Sequence, residues 1–474
     1  MRARVLQFAR RELFDGFWSF RIPGSLVLIL ILFSSVTWTL SERYRDSYAE
    51  YQRRLQQNEA ALKETQTYSA LSVRVEKPPS PLSLLNKGVS ERVVNSFTVR
   101  RVGYPELFAT ARSSDLLRIF PAFDLALVIQ IVFGLLALVF SYAGVAGEKE
   151  QGTLRLVSSY AIPRWKLLMG KVLGNLAALE ALLAVGFGLF LLIVRFVSGI
   201  PIGRDGWIRT GWLFLAASLY TTLIYLIGLF ISTRSSRSSV ALVASMFFWV
   251  VQVVLVPLTV DYYVAILKPM PPAPDFNTSD RGGRLLISAL NEVQERSKKV
   301  TYAVNLSGPI AVSGLDDNGR RFLQTRMREI ANAQADDAKS LKDRIEVRRR
   351  RLEDQEAVAV WIKLVSPAFV FDRLSCILAG TGEEGYRHFF HALENYQQQI
   401  SLWLENEGAY DSPRYFDADL GPVSLDTLPR FDPATAVQWS EDVASSLPWI
   451  AGMAIACVVF FLLSFISFAR FDVR

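Results

Sequence analysis

The chain has 474 residues, of which 51% are hydrophobic and 20% charged, with a formal net charge of +7. A positive mean hydropathy of +0.24 beside that charge content requires separate apolar and polar blocks, which excludes an ordinary soluble globule. The two cysteines, Cys376 in a polar loop and Cys457 in an apolar run, give no disulfide framework and no cysteine-built metal cluster.

Residues 1–21 read as a cytoplasmic amphipathic helix. At about 100° per residue Leu6, Ala9, Leu13, Phe17 and Phe20 fall on one side, with Arg4, Arg11, Glu12, Asp15 and Ser19 opposite, the pattern of a helix lying in the membrane interface. Six runs then have the composition of membrane spans. Residues 22–40, 125–147, 211–232, 239–260 and 447–469 contain no charge, and 172–194 contains only Glu180. Each meets or approaches the roughly 17 to 25 residues that a spanning helix needs. The expected fold is an all-α polytopic membrane protein with six transmembrane helices, an N-terminal interfacial helix and a largely helical extracytoplasmic domain. The spans are placed at 22–40, 121–146, 172–197, 211–232, 239–260 and 447–469. The first is too long and too deep in the chain for a cleaved signal peptide and reads as a retained anchor.

Lys and Arg in the short segments set the orientation. Residues 1–21 hold five of them and 147–171 another five; the turn 233–238 holds Arg234 and Arg237, and the tail 470–474 holds Arg470 and Arg474. Six spans put these segments together on the cytoplasmic side, and the short loop 198–210, with Arg204 and Arg209, on the other. Two large polar regions, 41–120 and 261–446, then lie outside. In the first, Tyr44, Tyr48, Tyr51, Leu55 and Leu62 recur at helical spacing; in the second, Ile330, Ala338, Leu341, Ile345 and Leu352 do. Both predict amphipathic helices, whose stripes could be buried on each other. Proline-rich 77–81 and 268–274 read as extended linkers. The basic run in RIEVRRRRLEDQE has acids on both sides and reads as a solvated helix face, not a nucleic-acid site. His388 and His391 have i, i+3 spacing but lack further spaced ligands, so no metal site is assigned. Glu180 is either a functional intramembrane acid or the partner of a basic group near the inner interface.

Between the second and third spans lies GEKEQGTLRLVSSYAIPRWKLLMGK, residues 147–171. Gly147 ends an apolar helix, four polar residues follow, and Leu154, Leu156 and Val157 begin a new apolar stripe. Pro163 restricts the residue before it, and Trp165, Lys166 and Lys171 mark the return to the interface. A connecting loop needs about four to six residues. The excess predicts a short helix beneath the membrane, presenting carboxylates to another protein.

GEKEQGTLRLVSS and IPRWKLLMGKVLGN resemble the first cytoplasmic loop of ABC-2-type exporter permeases, and the resemblance extends over all six spans and the interfacial helix. PAFDLALVIQIVFGLLALVFSYAGVAGEKEQGTL and SPAFVFDRLSCILAGTGEEGYRHFFHALENY resemble more narrowly a bacterial subgroup with a large insertion before the last span, related to permeases of gliding-motility and nitrous-oxide-reductase-maturation systems. The resemblance implies a coupling helix seated in a groove of a separate ABC ATPase subunit. Gly147, Glu148, Glu150, Gly152, Thr153 and Leu154 then stand at the motif positions, with Pro163, Gly170 and Lys171 closing the loop. No G-x-x-x-x-G-K-[ST] phosphate loop occurs in the chain. Hydrolysis is therefore expected in the partner, with ATP and Mg, and neither a cofactor nor a catalytic site in this chain. Six spans are half of the usual twelve, which implies a second copy or a sister permease. Membrane lipid and an extracytoplasmic protein complete the expected partners. The expected location is the bacterial cytoplasmic (inner) membrane, with both termini inside. Two other readings stay open: a non-transporting mechanotransmitter acting through 261–446, and a membrane-anchored enzyme with an outer active site.

Overall fold

The computed structural model describes residues 2–88, 95–101, 106–107, 124–153, 163–269, 281–304, 310–433 and 439–470. Helix dominates them, and six helices are long and apolar enough to cross a membrane. The protein is an all-α polytopic membrane protein with a largely helical domain outside the bundle.

Helix α1 (Arg2–Trp18) carries the expected amphipathic stripe, but divides it between two environments. Ala9 is buried and Leu13 packs against the bundle core, whereas Leu6 and Phe17 are exposed together with Phe14 and Trp18. The chain turns at Phe20, the only described non-glycine residue with positive φ (58°), and α2 (Arg21–Lys63) begins. Its 43 residues rise about 65 Å, against a hydrocarbon layer of about 30 Å. The tyrosine stripe expected to form an amphipathic helix is therefore the far half of the same helix that forms the first span.

The other spans are α3 (Leu125–Glu150), α4 (Arg164–Val197) and α5 (Arg204–Arg234); α6, which runs from Ser238–Val250 through a π turn at Val251–Leu255 into Val256–Leu267; and, last in the chain, α11 (Trp439–Ala469). A second π turn, Ile129–Phe133, interrupts α3. Their shared core includes Ile29 and Phe33 of α2, Phe133 of α3, Leu183 of α4 and Tyr220 and Tyr225 of α5. Phe33 meets Phe133 edge-on with ring centroids 6.0 Å apart.

Outside the bundle, β1 (Ser72–Glu76), β2 (Ser96–Arg100) and β3 (Glu106–Leu107) form an antiparallel sheet, with Val75 opposite Phe97. Next come α7 (Arg281–Arg296), the hairpin of β4 (Thr301–Val304) and β5 (Ile310–Ser313), and the 47-residue α8 (Asp317–Lys363). Val73, Phe97 and Val99 of the sheet, Leu290 of α7 and Leu323 and Met327 of α8 share one core with Phe389, Leu393 and Ile400 of α10 (Glu383–Asn406).

The two predicted stripes find different partners. The far half of α2 rests on β1 and the first half of α8 on α7. The lower end of α8 joins α6 through Ala359, Val260 and Val264. Between them α8 is solvated, with Arg349 and Arg350 paired to Glu346 along the helix (2.9 and 3.4 Å).

Helix α9 (Pro367–Ala379) falls within the stretch 261–446 expected as one outer region, yet it packs on the helices of the bundle. Its Ala368, Phe371 and Leu374 belong to the bundle core, and Phe371 stacks on Tyr220 of α5 (5.2 Å, 25°). Thirteen residues are too few to span a bilayer, so the length criterion passes over them. Near its end, Arg209 of α5 donates to Leu378 O (3.3 Å) and pairs with Asp442 of α11 (2.8 Å).

Candidate functional site

Residues 147–153 and 163–171 come together at the end of the bundle where Lys and Arg concentrate. Helix α3 stops at Glu150. Gln151 N donates to Gly147 O (3.0 Å) and Gly152 N to Lys149 O (3.2 Å). Gly152 takes φ +71°, a left-handed helix stop that a side chain would disfavour. Thr153 Oγ1 donates to Glu148 O (3.4 Å). Leu154, with the rest of 154–162 and the apolar stripe expected there, lies outside the described residues. Pro163 stands immediately before α4, and Gly170 and Lys171 are buried about two turns further on.

The charges of this motif are turned onto other helix ends. Lys149 Nζ donates to the carbonyls of Thr233 and Ser235 (3.2 Å to Ser235) at the C-terminus of α5. Its neighbour Glu150 accepts from the backbone N (3.0 Å) and hydroxyl of Ser238, where α6 begins. A cation on a helix C-terminus and an anion on an N-terminus each complement unpaired backbone groups and the helix dipole. Adjacent residues of opposite sign thus clamp both sides of the turn 233–238. Arg164 Nη1 donates to Ala469 O (2.7 Å) at the C-terminus of α11.

At the centre of this end lies Lys171, only 8% exposed. Its Nζ is 2.8 Å from Glu12 Oε1 of α1 and 2.8 Å from Glu148 Oε1 of α3. Such a buried cation is stable only with close counter-charges, and here it has two. The approach of α1 to α4 depends on Gly174: a Cβ there would lie 2.7 Å from Ala9 O and 2.8 Å from Glu12 Cβ. Glu148 Oε2 is buried without a hydrogen-bond partner among the described residues. One segment therefore ties α1, α3, α4, α5, α6 and α11 together.

Of the residues singled out in the sequence, Gly147, Glu148, Glu150, Gly152, Thr153, Pro163, Gly170 and Lys171 gather here. Glu12 is the addition: its partner is 159 positions away, and its own surroundings mark it only as one of several charges on α1. Glu180 lies apart, within α4, and accepts from Thr222 Oγ1 of α5 (3.3 Å). Among the described residues it makes no ion pair, so the basic partner considered for it is not found. His388 Nε2 is 3.6 Å from Glu441 and His391 Nδ1 3.3 Å from Glu394.

Comparison with known proteins gives this architecture its context. Residues 19–473 match the family described as ABC-2 family transporter protein. The probable ABC transporter permease protein NosY of Stutzerimonas stutzeri is 31% identical over 177 residues, 35% of this chain and 62% of that protein. The protein of the same description from Pseudomonas aeruginosa is 31% identical over 130 residues, 26% of this chain and 45% of its own length. The matches thus span about half of these relatives. With the family match running from the end of α1 to residue 473, across all six spans, the protein belongs to the ABC-2 family of transporters.

Proposed function

We propose that this chain works as the membrane subunit of a bacterial ABC exporter, in which a separate ATPase subunit, holding ATP and Mg, drives residues 147–171 from the cytoplasm. The observation that carries the reading is the interlock at the basic end, where Lys149, Glu150, Arg164 and Lys171 join one segment to the ends of the surrounding helices. A push on that segment is delivered to all of them together. Packed helices exchange between discrete arrangements and do not deform continuously, so a small displacement becomes a change of the whole bundle. The charge of these segments supports a cytoplasmic placement in the inner membrane, with both termini inside. Glu148 and Glu150 brace the base of the loop in this reading, and contact with the ATPase falls to the residues from Leu154 onward.

The exposed apolar residues Val243, Phe247 and Val250 of α6 and Ile455, Val458 and Leu462 of α11 support contact with lipid and with a second permease copy or a sister permease. A second reading, force transmission to an extracytoplasmic protein without transport, is favoured by α2, which runs unbroken from the bundle into the outer domain. Reconstitution with the ATPase separates the two. Solute or lipid movement coupled to hydrolysis supports export, and stimulated hydrolysis without movement supports transmission. Glu148→Lys sets two ammonium groups against each other and is expected to uncouple or detach the ATPase while the permease stays inserted. Normal coupled hydrolysis by that variant, or labelling of 147–171 from outside intact cells, overturns the placement.

A further inference from the structure

A second polar cluster, this one without charge, lies between α3, α5, α6 and α9. Ser245, Trp249 and Gln252 recur on α6 at the spacing of one helix face. That face turns into the bundle, where Ser245 is 0% and Gln252 7% exposed, while Val243 and Phe247 face outward. Ser245 Oγ, Trp249 Nε1 and Gln252 Oε1 are all buried without a hydrogen-bond partner among the described residues.

Their surroundings are polar as well. Tyr220 Oη donates to Gln130 O (2.9 Å), Gln130 Nε2 to Ala368 O (3.5 Å) and Ser366 Oγ to Gln252 O (2.7 Å). A Cβ on Gly134 would lie 2.7 Å from Trp249 Nε1 and 2.9 Å from Tyr220 Oη, so both groups converge over bare backbone of α3. The two π turns, Ile129–Phe133 and Val251–Leu255, contain Gln130 and Gln252. Such turns recur at functional sites. Polar side chains that only glue helices together pair with one another. The three bonds just named instead run from side chains to backbone carbonyls of neighbouring helices, and the three atoms on α6 have neither kind of partner among the described residues.

We propose that this seam is a solute-binding site within a single subunit, for an uncharged ligand carrying both hydrogen-bond donors and acceptors, such as hydroxyl or amide groups. The indole offers only a donor, the Gln252 oxygen only an acceptor and the serine either. None of these side chains carries a charge, so an ionic ligand would enter without a counter-charge. Phe371, stacked on Tyr220, closes the seam from the side of α9. The proposal rests on the permease reading for the way the seam opens.

The test uses the full chain with Cys376→Ser and Cys457→Ser, reconstituted with its ATPase in liposomes. Ser245→Cys and Gln252→Cys are treated with 2-hydroxyethyl methanethiosulfonate, a small uncharged reagent that attacks ionised thiols and hence wetted positions. Modification about ten-fold faster than at Val243→Cys and Phe247→Cys, with a rate that ATP changes, is expected. Modification no faster than these controls, with and without ATP, overturns the seam. Fast modification that ATP leaves unchanged upholds the seam and counts against ATPase coupling, so the two readings fail separately. Hydroxyl-radical oxidation of Trp249 in the unsubstituted chain gives the same answer if a cysteine variant fails to insert: oxidation supports the seam, and an unoxidised ring in both states overturns it.

Discussion

Two lysines with buried ammonium groups mark opposite regions of the molecule and are held in opposite ways. Lys171, at the basic end, lies within 2.8 Å of two carboxylates from two other helices. Lys77, in the outer domain, sits 3.3 Å above the Tyr386 ring, and its Nζ has no hydrogen-bond partner among the described residues. Burial lowers the Lys77 ammonium to about 8, and the Asp442 carboxylate, already paired with Arg209, offsets this only in part. Charge at the basic end is thus a fastener, while in the outer domain the same side chain is a cost relieved by losing its proton.

Lys171→Met is the strongest way to break this comparison. It leaves Glu12 and Glu148 facing each other without their cation, and removing one partner of a buried ionic group costs about 3–5 kcal/mol. A large fall in thermal stability of the detergent-solubilised protein is expected, mostly recovered when Glu12→Gln and Glu148→Gln are added. Equal losses in the single and triple variants would show that the site is held by packing and not by charge.

Lys77 is expected to respond in the other direction. Its folded pKa, about 8, lies below the ordinary 10.5. Between those values the unfolded chain binds more protons, so stability rises with pH across the window and the penalty is fully present below it. The gap corresponds to about 3 kcal/mol. Lys77→Met should therefore stabilise the outer domain at pH 7 and flatten its unfolding profile between pH 8 and 10.5. An unchanged profile would mean that the ammonium reaches solvent.

Much of the architecture was legible because a bilayer demands composition over length. Twenty or so uncharged residues can be counted without knowing what they touch, and Gly152 and Pro163 announce a helix stop and start through backbone chemistry alone. What stayed hidden depends on partners far away in the chain. Glu12 gives no sign that it meets Lys171, and Lys149, with the look of a loop residue, caps a helix that ends more than 80 positions later. Helix α9 was missed for a different reason: Asp372 and Arg373 interrupt its short apolar run. Nor does composition show that α2 continues unbroken beyond the uncharged run 22–40, because a change of solvent need not end a helix.

Gly174→Leu tests whether the fastener at Lys171 also needs close backbone approach. The new side chain would run into Ala9 O, with overpacking of about 1–3 kcal/mol. Lifting of α1 is expected, read as faster tryptic cleavage after Arg10 and Arg11. Unchanged cleavage would show that the hold on α1 does not need this close backbone approach.

The smallest effect is expected at the far end, where α9 is held by neutral groups. Ser366 Oγ donates to Gln252 O (2.7 Å) and accepts from Phe369 N (3.3 Å), so it is both an anchor to α6 and the N-cap of α9. Ser366→Ala removes both and should cost about 1–2 kcal/mol. Ser366→Asp keeps an acceptor for Phe369 N but sets a carboxylate against the Gln252 carbonyl, whereas Ser366→Thr keeps both bonds. A loss with Asp that exceeds the loss with Ala, beside near-normal stability with Thr, identifies the contact with α6 as the part that matters. Equal stability of the Asp and Thr variants would assign the effect to the cap alone and leave α9 free to move without breaking a bond to α6.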